Sequence, residues 1–83
     1  MSINFNEKFS KLRIMSYFAH NLKILRKEKG LSQPELAKEL NVSKGMISFW
    51  ENEIYEPTAT NIISVAKFFN VSIDNLLLTQ IIL

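Results

Sequence analysis

The 83-residue sequence has no cysteine, which excludes disulfides and thiolate metal sites. Its one histidine, His20, has no second histidine to pair with, so a histidine-based metal site lacks ligands. No apolar run approaches the roughly 18 residues that a membrane span needs. The opening "MSINFNEKFSKLR" carries charges where a secretion signal needs an apolar segment, so we expect a cytoplasmic protein with no membrane partner. There is no glycine-rich phosphate loop, no cluster of metal ligands and no signature that sets a nucleophile beside a base. We therefore expect no catalytic residue, no metal, no cofactor and no enzyme.

Glycine and proline are scarce, two of each, and they fall where elements end. In "NLKILRKEK", Leu22, Leu25 and Ile24 sit at helical spacing, and Gly30 suits the end of that helix. Ser32 and Glu35 have the S-x-x-E spacing of a capping box. Pro34 is compatible with the first turn, where its missing amide would be unpaired anyway. Leu36, Ala37 and Leu40 form the buried stripe of a second helix, and Asn41 tolerates the left-handed backbone of a sharp turn. Ser43 is expected to cap a third helix running to about Glu51. A fourth follows Pro57, capped by Thr58 or Thr60, with Ile62, Ile63, Val65, Ala66 and Phe69 as its apolar set. Ser72 starts a fifth, with Asp74 near its positive end and Leu76 and Leu77 completing the core. Nothing alternates with period two, so the fold class is all-α, in one domain. With 47% hydrophobic and 22% charged residues, the composition is that of an ordinary globular chain.

Charge is unevenly spread. Residues 1–50 carry nine Lys/Arg against four Asp/Glu, a local +5, and residues 51–83 a local −3. Such clustering can attract a polyanion, although a solvated lysine-rich surface gives the same pattern.

The stretch "LSQPELAKELNVSKGMISFWEN" places two short helices across a tight turn. On a wheel of about 100° per residue, Met46, Ile47 and Trp50 share one side of the second helix. Lys44, Ser48 and Asn52 fall opposite, with Gly45 and Phe49 on a flank. Ala37 is small where the two helices cross. This is the arrangement of a helix-turn-helix, whose second helix can enter a major groove about 12 Å wide.

Residues 21–78 resemble the lambda-repressor-like, or Cro/XRE-type, helix-turn-helix family. The likeness is carried by Ala37 at the fifth place counted from Gln33, and by Leu36, Leu40, Val42, Ile47 and Trp50 at the family's apolar places. It is carried too by "LRKEKGLSQ", by "WEN" followed by Pro57, and by "NVSIDNLL". The resemblance implies a compact five-helix, lambda-repressor-like bundle. It implies a sequence-specific transcriptional regulator, a repressor in first place, that binds double-stranded, palindromic operator DNA as a homodimer in the nucleoid. The DNA-binding residues would be Gln33, Ser43, Lys44, Gly45, Ser48, Phe49 and Asn52. Gln33 matches a place that meets phosphate or a base edge. Lys44, Gly45, Ser48 and Phe49 match places that face the groove. Arg26 and Glu51 match a pair that joins the first and third helices by a structural salt bridge.

The sequence departs from the family at Glu53, where glycine often follows "WEN", so the left-handed turn is expected on Asn52 unless the loop differs. The loop "IYE" also lacks the basic residues that often grip phosphate. Residues 1–14 read as an N-terminal extension, with Phe5, Phe9 and Leu12 at the spacing of an extra amphipathic helix, and residues 15–83 as the DNA-binding domain. The apolar ending "LLLTQIIL" is open between core, dimer seam and the docking segment of a protein partner. In the last case the chain would be an antitoxin that neutralises a toxin and regulates its own promoter.

Overall fold

A computed structural model describes the backbone of residues 5–82 and the side chains of residues 17–82. Among these residues the chain forms five helices: α1 (Phe5–Glu28), α2 (Gln33–Leu40), α3 (Met46–Glu51), α4 (Ala59–Phe69) and α5 (Ile73–Leu78). α1 packs on α5 and α3, α2 on α3 and α4, and α4 on α5, so the helices close around one core. That core holds Phe18, Leu22, Leu25, Leu36, Ala37, Ile47, Trp50, Val65, Ala66 and Leu76. Phe18 and Trp50 meet edge to face at 5.9 Å, which fixes α3 against α1.

The helix ends follow from local chemistry. Ser32 caps α2 in a complete capping box: its hydroxyl accepts from the Glu35 amide at 3.1 Å, and its own amide donates to Glu35 Oε1 at 2.8 Å. The Ser32 amide first, and the nearby Ser32 hydroxyl second, hold the Glu35 carboxyl below its ordinary range. Thr58 and Ser72 cap α4 and α5 from one side only, each hydroxyl accepting from the amide three residues on. At the other ends, α1, α2, α3 and α4 close on one repeated turn, with left-handed residues at Gly30, Asn41, Glu53 and Asn70. In each, the next amide reaches back five residues: Leu31 to Arg26, Val42 to Ala37, Ile54 to Phe49, Val71 to Ala66. These bonds satisfy carbonyls that a helix end otherwise leaves open.

Three expectations need correction. Ser43 does not cap α3; its carbonyl accepts from Met46 N at 3.0 Å in a preceding turn, and the helix starts after Gly45, with no side-chain cap. The left-handed residue after "WEN" is Glu53 at φ 60°, while Asn52 stays at φ −100°. Helix closure demands that conformation one place after Asn52 whatever residue stands there. Ile63 is 43% exposed, because it lies about 100° around α4 from the stripe of Ile62, Val65, Ala66 and Phe69.

For the C-terminal segment, the sequence leaves the core open as one reading, and Ile81 follows it. Ile81 packs against the core and is anchored by Asn21, which is fully buried in α1. Asn21 Oδ1 accepts from Ile81 N at 2.8 Å, and Nδ2 donates to the carbonyls of Leu76 at 2.8 Å and Thr79 at 2.7 Å. His20 Nε2 donates to Ile81 O at 3.3 Å; a carbonyl only accepts, so the proton sits on Nε2. Ile81 therefore belongs to the fold, whereas Ile82 is 85% exposed. Leu83 lies outside the described residues.

α1 runs from Phe5 without a break at residues 14 and 15, so among the described residues the helix expected before residue 15 is the first part of α1 rather than a separate element. What Phe5, Phe9 and Leu12 pack against lies outside the described side chains.

Candidate nucleic-acid interface

α2 and α3 are set by what they bury. Leu36 and Ala37 of α2, and Ile47 and Trp50 of α3, are at most 2% exposed. Ala37 carries only a methyl group where the helices meet, which lets them approach closely. With Ile47 and Trp50 turned inward, the opposite side of α3 and its leading turn face outward. Lys44, Gly45 and Asn52 are exposed there, Ser48 is half-buried, and Phe49 is 36% exposed.

The outward residues are partly organised among themselves. Asn52 Nδ2 donates to the Ser48 carbonyl at 2.8 Å and to Ser48 Oγ at 3.2 Å. The Ser48 hydroxyl keeps its own proton to donate elsewhere. The Phe49 ring meets Tyr55 edge to face at 4.9 Å. Tyr55 and its neighbour Ile54 are more than half exposed, so Phe49 continues into an apolar patch on the loop after α3. The sequence showed that this loop lacks positive charge. Its contact with Phe49 was hidden, because it depends on the turn at Glu53.

Gly45 has an ordinary φ of −88°. A Cβ added there would meet only the Phe49 ring edge, at 3.8 Å, which is normal van der Waals contact. The fold therefore gives no conformational or steric reason for glycine at this place.

Arg26, Gln33 and Glu51 form one network. Arg26 Nε donates to Glu51 Oε2 at 2.7 Å and Nη2 to Glu51 Oε1 at 3.1 Å. This two-pronged pair is nearly buried, its side chains 9% and 2% exposed. Arg26 Nη1 donates to the Leu31 carbonyl at 2.9 Å. Gln33 Nε2 donates to Glu51 Oε1 at 3.0 Å. The structure thus gathers Lys44, Gly45, Ser48, Phe49 and Asn52 along one side of α3 and its leading turn. It draws Gln33 toward Glu51, and Ser43 sits in the turn between α2 and α3. Among the described residues no group of histidines and carboxylates is placed to hold a metal ion, and no helix is long and apolar enough to cross a membrane.

A sequence model of the helix-turn-helix family matches residues 22–76, which include all five core-forming helices in part or whole. The chain belongs to the lambda-repressor-like, Cro/XRE-type helix-turn-helix family. Among curated proteins it is similar to the HTH-type transcriptional activator BcrR of Enterococcus faecalis, 42% identical over 60 residues. That alignment covers 72% of this chain and 29% of BcrR, so the chain spans less than a third of that relative's length. Among solved structures it is similar to the hypothetical transcription factor NHTF from Neisseria (TM-score 0.73, 29% identity, 78% of this chain and 75% of that one). It is also similar to the P22 c2 repressor in complex with the synthetic operator 9T (TM-score 0.69, 31% identity, 74% and 92%). A transcriptional regulator from Listeria innocua aligns at TM-score 0.69 and 33% identity, over 80% of this chain and 63% of that one.

As a member of this family, the chain departs from the usual pattern at Glu53. A residue with a Cβ takes the left-handed turn that glycine often fills, at an intrinsic cost of roughly 1–2 kcal/mol. The turn itself keeps its two closing bonds, Glu53 N to Trp50 O at 3.2 Å and Ile54 N to Phe49 O at 2.8 Å.

Proposed function

We propose that this chain is a sequence-specific, double-stranded-DNA-binding transcriptional regulator that acts as a homodimer on a palindromic operator. α3 enters the major groove with Lys44 and Gly45 leading. The observation that carries this reading is the outward side of α3: a lysine, a glycine, a serine–asparagine pair and an aromatic ring above a helix whose other side is core. Gly45 strengthens it, because the fold has no need of glycine there, while close approach of backbone to a ligand does.

Each outward group has a role that suits its chemistry. The Lys44 ammonium reaches phosphate or the O6 and N7 acceptors of guanine. The Ser48 hydroxyl donates to a phosphate or a base edge, Asn52 supports it, and the Phe49 ring suits a thymine methyl or sugar. Lysines supply the salt-dependent part of binding, and α3 supplies the choice of sequence. The relatives carry both names, activator for BcrR and repressor for P22 c2. We place repression first, since a bound protein that overlaps a promoter excludes the polymerase by its volume.

The deciding experiment is selection of bound sites from random DNA at stated salt. The expected product is a palindrome with half-sites one helical turn apart, roughly 34 Å. Recovery of no enriched site at low salt would defeat the proposal. An operator placed across a reporter promoter then reads the sign of control, with repression expected. We further propose that residues 15–83 suffice for DNA binding, since the family match lies wholly within them, at residues 22–76. A chain begun at Met15 should keep the thermal midpoint and the affinity of the full chain.

A further inference from the structure

Glu51 has only acceptors to offer, so the end of the Gln33 amide that meets it has to be Nε2. Turning the amide over would set Oε1 against a carboxylate oxygen, two acceptors facing each other. Glu51 cannot turn away either. Arg26 binds both of its oxygens, and Arg26 is itself fastened to the Leu31 carbonyl. A nearly buried ion pair thus fixes the orientation of a half-buried amide at the first residue of α2. One Nε2–H is committed inward, and a second Nε2–H and Oε1 remain. The free N–H needs an acceptor, and DNA offers two kinds, a phosphate oxygen and a purine N7.

We infer that Glu51 is a positioning residue for DNA binding: held by Arg26, it orients the Gln33 amide so that its free N–H meets an acceptor on the DNA. This rests on the DNA-binding reading above and adds a role for a residue that otherwise only ties α3 to α1. Positioning acts through rigidity. The free amide in solution turns about several side-chain bonds, and the anchor removes that freedom before DNA arrives.

The test is a double-mutant cycle in the full chain, read as affinity for a selected site. Gln33→Ala is made in the wild-type background and in R26M/E51L, which replaces the ion pair by apolar residues of similar volume. In the wild type, Gln33→Ala should weaken binding about fivefold or more, within the range of couplings between residues in one network. In R26M/E51L the same change should cost less than twofold. Equal losses in the two backgrounds, or no loss in either, would overturn the inference. A panel of single-base changes separates the two acceptors: a loss confined to one purine position identifies N7, and a uniform loss with a lower salt slope identifies phosphate. Should R26M/E51L fail to fold, the Gln33 side-chain amide is followed by NMR in the wild type before and after DNA is added. An amide already rigid in the DNA-free protein supports positioning, and one that rotates freely until DNA is added sinks it. If the wild type binds no selected site at all, the DNA-binding reading itself has failed, which this design shows separately.

Discussion

Asn21 of α1 and Ile81, sixty residues later in the chain, are joined by a backbone-to-side-chain hydrogen bond of 2.8 Å. The same side chain holds the carbonyls of Leu76 and Thr79, so one buried amide ends α5 and directs the chain beyond it. An amide is the only common side chain that both donates to these carbonyls and accepts from that N–H. Asn21→Asp keeps the shape but turns an acceptor toward carbonyl oxygens. Asn21→Leu removes every bond and leaves the backbone groups unpaired. Both variants should lose at least about 2 kcal/mol, the cost of buried groups left unsatisfied. Urea unfolding of the two variants measures it. If Asn21→Asp is as stable as the wild type, the latch contributes little.

The ion pair makes a different prediction, because breaking it and replacing it are unlike. Glu51→Ala leaves the Arg26 guanidinium nearly buried without its carboxylate, which typically costs about 3–5 kcal/mol. R26M/E51L removes both charges and should recover most of that loss. Denaturation midpoints of the single and double variants decide. A single variant as stable as the double would show that solvent reaches Arg26 more freely than its burial indicates.

Much of the fold was legible because its signals are local. Ser32 with Glu35, Gly30, Asn41, Thr58, Asn70 and Ser72 mark helix ends by side-chain chemistry that needs no tertiary information. The stripes of α2 and α4 follow from helical spacing, and Ile63 was misplaced only by widening the stripe one residue too far. What stayed hidden depends on contacts between distant segments. Asn21 reads as an ordinary polar residue until the end of α5 and Thr79 bring two carbonyls to it. Ile81 reads as a surplus apolar residue until Asn21 and His20 fix its backbone. The side of α3 that faces outward was readable from the wheel. The tie of Gln33 to Glu51 was not, since it needs the start of α2 brought beside the end of α3.

The capping box makes stability depend on pH at the start of α2. The Glu35 carboxyl is held below its ordinary range in the folded chain by the Ser32 amide and hydroxyl. A group with a lowered folded-state pKa stabilises fully above its unfolded value, and that contribution is lost as pH falls through the folded value. The wild type should therefore lose thermal stability on acidification through the carboxylate range more steeply than Glu35→Gln, which cannot titrate. Melting curves from neutral pH downward compare the two slopes. Parallel slopes would assign acid sensitivity to other carboxyls.

Lys44 and Gly45 should separate affinity from folding most cleanly. Neither supports the core: Lys44 is exposed, and a methyl group on Gly45 meets nothing closer than 3.8 Å. Gly45→Ala should therefore change stability by no more than about 1 kcal/mol. If the α3 backbone approaches DNA at this point, the same methyl group should lower affinity for the selected site about tenfold or more. Lys44→Ala should also leave folding unchanged, and its effect on DNA depends on what the ammonium meets. A phosphate contact predicts uniform weakening and a salt slope reduced by about one per subunit. A guanine contact predicts a loss of about 1–3 kcal/mol concentrated at one base position. We expect the guanine pattern, because Lys44 leads α3 and that end of a recognition helix contacts base edges. Trp50→Ala serves as the contrast, since a cavity in the core costs about 3–5 kcal/mol and should unfold the domain. Binding to a panel of single-base operator variants at two salt concentrations reads all of these together. If Gly45→Ala and Lys44→Ala fold normally and bind the panel like the wild type, the leading end of α3 does not face the DNA.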